Sequence, residues 1–300
     1  MKNLFGILIL FVSIVACDTP KAQTSQTSIQ PEAIPTFTTS VSTLPDSFSR
    51  ESALQRLEQK TRLKSPTVVH ILVPLCDNEH QGIVPVSSSL GNGTNLRTNL
   101  YWGARYGIKS HFKISSKWKL VASQMDITPN ILERVIFESQ ETGFEHIKIV
   151  ADAYRGDKMK ECLTDYFSSL AGKKKGKIII LDKELGIHGN ADLIVFNGHN
   201  GLMDTEVPLI TSEDQQIRDA SAIGCISHPY FKSYLQAAGG YPLLMTTNLL
   251  APEAYVVESL IQAWMRRKSG PEIRTAAGKA YDRYQKCGIR GATRLFRTGW

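Results

Sequence analysis

A histidine and a cysteine, each placed just after a short hydrophobic run, have the residue types and order needed for nucleophilic chemistry. The run Asp192-Leu193-Ile194-Val195-Phe196 leads into Asn197-Gly198-His199-Asn200-Gly201, and Ala220-Ser221-Ala222-Ile223-Gly224 leads into Cys225. A thiol nucleophile needs a base within hydrogen-bond reach and a backbone donor for the oxyanion that develops during attack. Neighbouring parallel strands about 5 Å apart meet the first requirement when each carries one partner at its end. Gly198 and Gly201, flanking His199, let a substrate backbone come close and can turn an N–H toward the oxyanion. Taken singly, each residue also has a structural explanation. Cysteine at a strand end is often a small buried side chain, and a turn histidine is often a cap.

Together the two segments resemble the caspase, gingipain and legumain group of cysteine peptidases. Their pattern is a hydrophobic strand followed by His-Gly, then a second hydrophobic strand followed by a small residue and Cys. Phe196-Asn197-Gly198-His199-Asn200-Gly201 stands for the first half and Ile223-Gly224-Cys225 for the second. Asn200 separates His199 from the next glycine, Gly224 replaces the usual alanine, and the spacing is short for the group. The resemblance spans Val68 to Thr247. It implies a three-layer α/β/α sandwich around a mostly parallel sheet of about six strands. It also implies a His199/Cys225 dyad at the carboxyl edge and hydrolysis of peptide bonds with no metal or cofactor. Two other expectations stand beside it: a non-catalytic binding or assembly module on the same scaffold, and a domain in which Cys225 is bridged to Cys76 or Cys287.

Other polar residues lie at expected strand ends. Asp77, Asn78 and Glu79 follow the first strand, and an acidic cluster there favours an Arg or Lys side chain of a peptide substrate. Asp152 and His228 are further candidates for binding substrate. Asp152 and Asp204 are also possible supports for substrate or for the histidine, although a surface role suits each better. His188, His199 and His228 with Cys225 have no zinc-ligand spacing. The segment Ser87-Ser88-Ser89-Leu90-Gly91-Asn92-Gly93 lacks the lysine and helix context of a phosphate loop and reads as a surface loop. No Gly-x-Ser-x-Gly elbow is present, which counts against a serine α/β-hydrolase.

The elements that must position these residues alternate along the chain. Apolar runs at 67–75, 118–123, 147–151, 178–181, 193–196, 220–226 and 242–246 read as strands covered on both faces. Between them, Thr128-Pro129 reads as the start of a helix burying Ile131, Leu132, Val135 and Ile136 and ending at Gly143. Further helices are expected from about Asp157 to Leu170, after His228-Pro229 up to Gly239, and from Pro252 with Val257, Leu260, Ile261 and Trp264 inward. Another helix spans about 50–64, with Ala53, Leu54 and Leu57 on one face. The β-α alternation predicts an open, mostly parallel α/β sheet, whose ligands gather at the carboxyl ends of its strands.

The amino-terminal segment reads differently. Lys2 precedes an apolar run from Leu4 to Val15, too short to span a bilayer, and Ile14-Val15-Ala16-Cys17 resembles a bacterial lipobox. The expectation is a signal peptide at 1–16, acylation of Cys17, a Ser/Thr/Pro-rich tether over 17–49 and a folded domain from 50 to 300. The chain is then a lipid-anchored protein of the bacterial cell envelope, on the periplasmic or outer-membrane face, with the lipid bilayer as a partner. The net charge of +7 is uneven, clustering at Lys109–Lys119, Lys173–Lys177 and Arg266–Arg297. In an envelope protein this reads as a solvated basic surface, with no nucleic acid partner. Cys162, on an apolar helix face with Met159, Leu163, Tyr166 and Phe167, reads as a core residue.

Overall fold

Residues 49–300 are described by a computed structural model. The signal peptide, Cys17 and nearly all of the tether fall outside the described residues. The helices are α1 (Glu51–Arg62), α2 (Ile108–Ile114), α3 (Met159–Leu170), α4 (Ser227–Ala238), α5 (Ala254–Met265), α6 (Gly270–Gln285) and α7 (Ile289–Arg294). The strands are β1 (Thr67–Pro74), β2 (Trp118–Thr128), β3 (Ile131–Ser139), β4 (Ile147–Tyr154), β5 (Lys175–Ile180), β6 (Lys183–His188), β7 (Leu193–Asn197), β8 (Arg218–Ile223), β9 (Gly240–Thr246) and β10 (Phe296–Arg297).

Eight strands form one sheet in the order β10-β9-β8-β7-β1-β4-β3-β2. The five from β9 to β4 are parallel, while β3, β2 and β10 join antiparallel at the two edges. Strands β1, β4, β7 and β8 are buried at every position, as expected of strands covered on both faces. One face packs against α1, α2, α5 and α6 through residues such as Val195, Phe112, Ile261 and Ile273. The other packs against α3 and α4 through Phe196, Tyr166, Phe167 and Phe231. The domain is therefore α/β, with a large, mostly parallel central sheet between helical layers. Among the described residues no helix is long and apolar enough to cross a membrane.

Two expectations are corrected. The segment expected to be a helix after Thr128-Pro129 is strand β3, joined to β2 by a tight turn in which the Thr128 hydroxyl accepts the N–H of Ile131 at 3.1 Å. Its stripe Ile131, Val135 and Ile136 is β-branched, and it alternates onto both faces of the sheet: Val135 on one, Ile131 and Ile136 on the other. The run 178–181 is not in the main sheet. It belongs to a separate β5–β6 hairpin, closed by the positive-φ residues Leu181 and Asp182, with Ile179 and Leu181 exposed.

The chain reverses its direction of strand addition at β1. Strand β4 is laid down on one side of β1 and β7 on the other, so β1 and β7 flank a topological switch point. The loops leaving these two strands both start at the carboxyl edge, where ligands of such sheets gather. The segments carrying Cys76-Asp77 and Gly198-His199 both begin there.

Candidate active site

Strands β7 and β8 run parallel with Asn197 opposite Ile223, so His199 and Cys225 each sit two residues past a paired position. Side chains alternate faces along a strand. Ile223 packs in the layer of α5 and α6, and the Asn197 amide donates to the Pro252 carbonyl at the start of α5, at 3.0 Å. The two strand ends are tied together beyond the ladder. The Gly198 N–H donates to the Ile223 carbonyl at 3.1 Å, and the Asn200 amide donates to the Cys225 carbonyl at 2.8 Å. Gly224 makes this approach possible, because a Cβ there would lie 2.7 Å from the Gly198 oxygen.

The Cys225 backbone occupies a sharp strand–turn–helix junction. Ile226 adopts φ +49°, a left-handed conformation that is costly for a β-branched residue, and α4 begins at the next position. The turn is pinned from below. The Ser227 N–H donates to Thr246 Oγ1 (3.0 Å), the Ser227 hydroxyl donates to the Ala222 carbonyl (2.6 Å), and Thr246 Oγ1 bonds the Gly224 carbonyl. Cys225 is half-buried, and its thiol donates to the Leu250 carbonyl at 3.5 Å. The Ile226 N–H is taken by Asn248, whereas the Cys225 N–H has no acceptor among the described residues. The amino end of α4, with its partial positive charge, lies immediately after the cysteine.

His199 is nearly enclosed, and its Nε2 meets the Asp204 carboxylate at 3.1 Å. This contact fixes the tautomer: Nε2–H donates to the carboxylate, and Nδ1 keeps the lone pair. Asp204 in turn accepts the Gly82 N–H. Burial alone raises the Asp204 carboxyl, but the bonds from His199 and Gly82 outweigh it and hold the group below the usual carboxylate range. His199 and Cys225 share no hydrogen bond, each being bonded to its own loop partner.

The segment between β1 and α2 builds the other wall. Asn99 binds both backbone polar groups of Cys76 (N–H to Oδ1 3.0 Å, amide to carbonyl 2.8 Å), and Gln81 bridges the Leu75 and Gly156 carbonyls. In the stretch from Ser87 to Gly93 the three serines and Asn92 are exposed, as a surface loop expects, while Gly91 and Gly93 pack into this rim. Gly91 abuts the Asn78 amide, and Gly93 lies against Asp77 and the Gly156 backbone. Asp77 is buried, accepting the Glu79 N–H at 2.9 Å and meeting His80 Nδ1 at 3.0 Å, while the Asn78 side chain clamps Val86. Of Asp77, Asn78 and Glu79 only Glu79 is exposed.

Comparison with known proteins finds no matching family model, no similar curated protein and no similar solved structure.

The remaining predicted residues are dispersed. Asp152 lies fully buried within the sheet, gripped by Arg134 (2.6 and 2.7 Å) and by His70 at 3.0 Å, so it presents no free oxygen to a substrate. His228, on the first turn of α4, is half-buried and lies within the field of Arg297 and Lys232; burial first, then those cations, pull its imidazole below the usual range. Gly198 spends its N–H on the Ile223 carbonyl and so supplies no oxyanion donor, while Gly201 lies against Met159 and Leu163. Among the described residues no group of three or more His, Cys, Asp or Glu side chains is placed to hold a metal ion. Cys76 is fully buried against Tyr101; burial pushes its thiol up to about 11 despite the tyrosine hydrogen bond. Cys162 is buried in the α3 core. The carbonyl of Leu250 did not stand out in the sequence, and Asn200 did so only as the residue between His199 and the next glycine, with no sign of its bond to Cys225. Asp204, expected as a possible support for the histidine, is the carboxylate its imidazole meets.

Proposed function

We propose that this domain is a caspase-like cysteine endopeptidase working through His199 and Cys225. The observation that carries the reading is the β7–β8 register: two adjacent parallel strands bring both residues to one carboxyl edge, beside the switch point. In the proposed reaction His199 Nδ1 takes the Cys225 proton as sulfur bonds to the scissile carbonyl carbon. The Cys225 N–H and the amino end of α4 stabilise the oxyanion. Collapse breaks the C–N bond, and His199 returns its proton to the leaving amine. Water, activated by the same imidazole, then hydrolyses the thioester. For this to occur the thiol must exchange its bond to Leu250 for one to the imidazole, a rotation that substrate binding would favour.

The sequence of residues 1–49 supports a matching location, the bacterial cell envelope, with the domain held by an acyl chain on Cys17. Labelling with a palmitate analogue, present in the parent chain and lost in Cys17→Ser, tests that part separately.

A second reading, a peptide-binding module without turnover, is favoured by one observation: His199 and Cys225 are each engaged elsewhere. Incubating the protein with a peptide library separates the two. The peptidase reading expects cleavage that disappears in both Cys225→Ala and His199→Ala. It also expects iodoacetamide to modify Cys225 faster than the buried Cys76 and Cys162, and more slowly once His199 is replaced. Binding of peptides with no Cys225-dependent cleavage favours the module.

A further inference from the structure

The C-terminal helices hold charge that the rest of the chain lacks. Residues 266–297 contain ten Lys and Arg against two Asp and Glu, an excess greater than the +7 of the entire protein. Some of it is neutralised locally, Arg266 by Glu141 and Lys268 by Glu272. Arg274, Arg290 and Arg294 are not: none forms an ion pair with a carboxylate among the described residues. With Ile289 and Thr293 they line a single cleft of about 310 Å³ where α6 meets α7.

Specific residues build this cleft. Gly278 lets α7 lie directly on α6, since a Cβ there would sit 2.8 Å from the Thr293 Cα. Arg274 Nε donates to the Thr293 carbonyl at 3.0 Å, which anchors that guanidinium and leaves its terminal amino groups for another acceptor. Arg290 and Arg294 are four residues apart on α7, a spacing at which like charges repel, and α7 carries no acidic residue to offset them. Three cations line one cleft, and none of them is ion-paired among the described residues. An oxyanion with several acceptor oxygens would relieve that repulsion, and guanidinium forks match its geometry in pairs of hydrogen bonds.

We infer that the cleft of Arg274, Arg290 and Arg294 binds a phosphoryl group. The group could come from a phospholipid headgroup or from a free phosphate ester, and the chemistry of recognition is the same. The full chain is titrated with inorganic phosphate at an ionic strength held constant with chloride. In parallel it is sedimented with phosphatidylcholine vesicles, with and without phosphatidylglycerol. Arg290→Gln/Arg294→Gln is compared with Lys279→Gln/Lys286→Gln, which removes the same charge from exposed positions outside the cleft; melting curves confirm that both variants fold. The expected result is phosphate binding that weakens roughly tenfold in the arginine variant and stays within about twofold in the lysine variant. Retention on phosphatidylglycerol vesicles that is lost only in the arginine variant assigns the headgroup source. Phosphate binding without such retention assigns a free ester. Equal losses in the two variants, or no binding to either probe, overturn the inference.

Discussion

Asp204 gives the His199 imidazole both an orientation and a tautomer, since a ring held at Nε2 by a carboxylate leaves Nδ1 as its basic nitrogen. The carboxylate is well suited to this, because its bonds from His199 and Gly82 keep it ionised through the neutral range. On the proposed peptidase reading, Asp204 is a positioning residue that never touches substrate. Asp204→Asn preserves shape and can present the ring with an amide N–H instead, which favours the wrong tautomer. Turnover is expected to fall by about two to four orders of magnitude with little change in KM. Steady-state kinetics on a cleaved library peptide checks this. A loss confined to KM would instead place Asp204 in substrate binding. The backbone at Cys225 also shows constraint, because Ile226 keeps a conformation that few β-branched residues adopt, held by its own bond to the Asn248 carbonyl and by the bonds of Ser227 to Thr246 and Ala222.

At the level of elements, legibility followed how local the determining physics was. Helices α3 and α4 end at Gly172 and Gly239, both in left-handed conformations that glycine adopts without cost, so their ends were readable. The buried runs of β1, β4 and β7 announced themselves by continuous hydrophobicity. The run that became β3 carries apolar residues on two faces, and over so short a window that pattern fits either a helix or a strand. Its Glu133 and Arg134 are charged residues with no exposed face to occupy. They are instead buried partners of Trp102 and Lys109 on one face and Asp152 on the other, contacts that only the folded chain reveals. In the candidate site the His199 and Cys225 strand ends were legible, but the Asp204 and Asn200 contacts depend on loop paths with no sequence period. The clamp at the start of β8 was equally hidden. Asp219 takes a two-pronged bond from Arg50, 169 residues away, and a third from the Trp264 indole, joining α1 and α5 to the sheet. Asp219→Asn removes the charge without changing the shape and leaves a largely buried guanidinium unpaired. It is expected to cost about 2–4 kcal/mol, read as a lower urea midpoint at an unchanged m-value. An unaltered midpoint would show that the clamp contributes nothing to stability.

For the whole molecule, the largest commitment to a particular pH lies in a buried chain of polar groups on one side of the sheet, away from the proposed dyad. Arg134 and His70 grip Asp152, the His188 N–H donates to His70 Nδ1, and His188 Nδ1 meets the Ser169 hydroxyl at 3.1 Å. Burial, reinforced by His70, pushes the His188 imidazole down to about 2, so the folded protein keeps it neutral. The unfolded chain takes up a proton there near pH 6.5. Between those two values the unfolded state binds more protons, and stability therefore falls as pH falls, by up to about 1.4 kcal/mol per pH unit. Asp152 adds to this lower down. Burial alone would raise its carboxyl, but the hydrogen bonds from Arg134 and His70 outweigh that and hold it well below the usual range. Its contribution is fully present above about pH 4 and is lost as pH drops further. The expected urea midpoint is thus flat above neutrality, declines from about pH 6.5, and declines more steeply below 4. His188→Asn isolates the upper window, because asparagine tolerates the φ of +55° at this position and can still bond the Ser169 hydroxyl. That variant should start less stable at pH 7 and lose less between pH 6.5 and 4.5 than the parent. Parallel slopes for the two proteins across that window would mean that His188 is not the group being held neutral, and that acid sensitivity arises elsewhere in the fold.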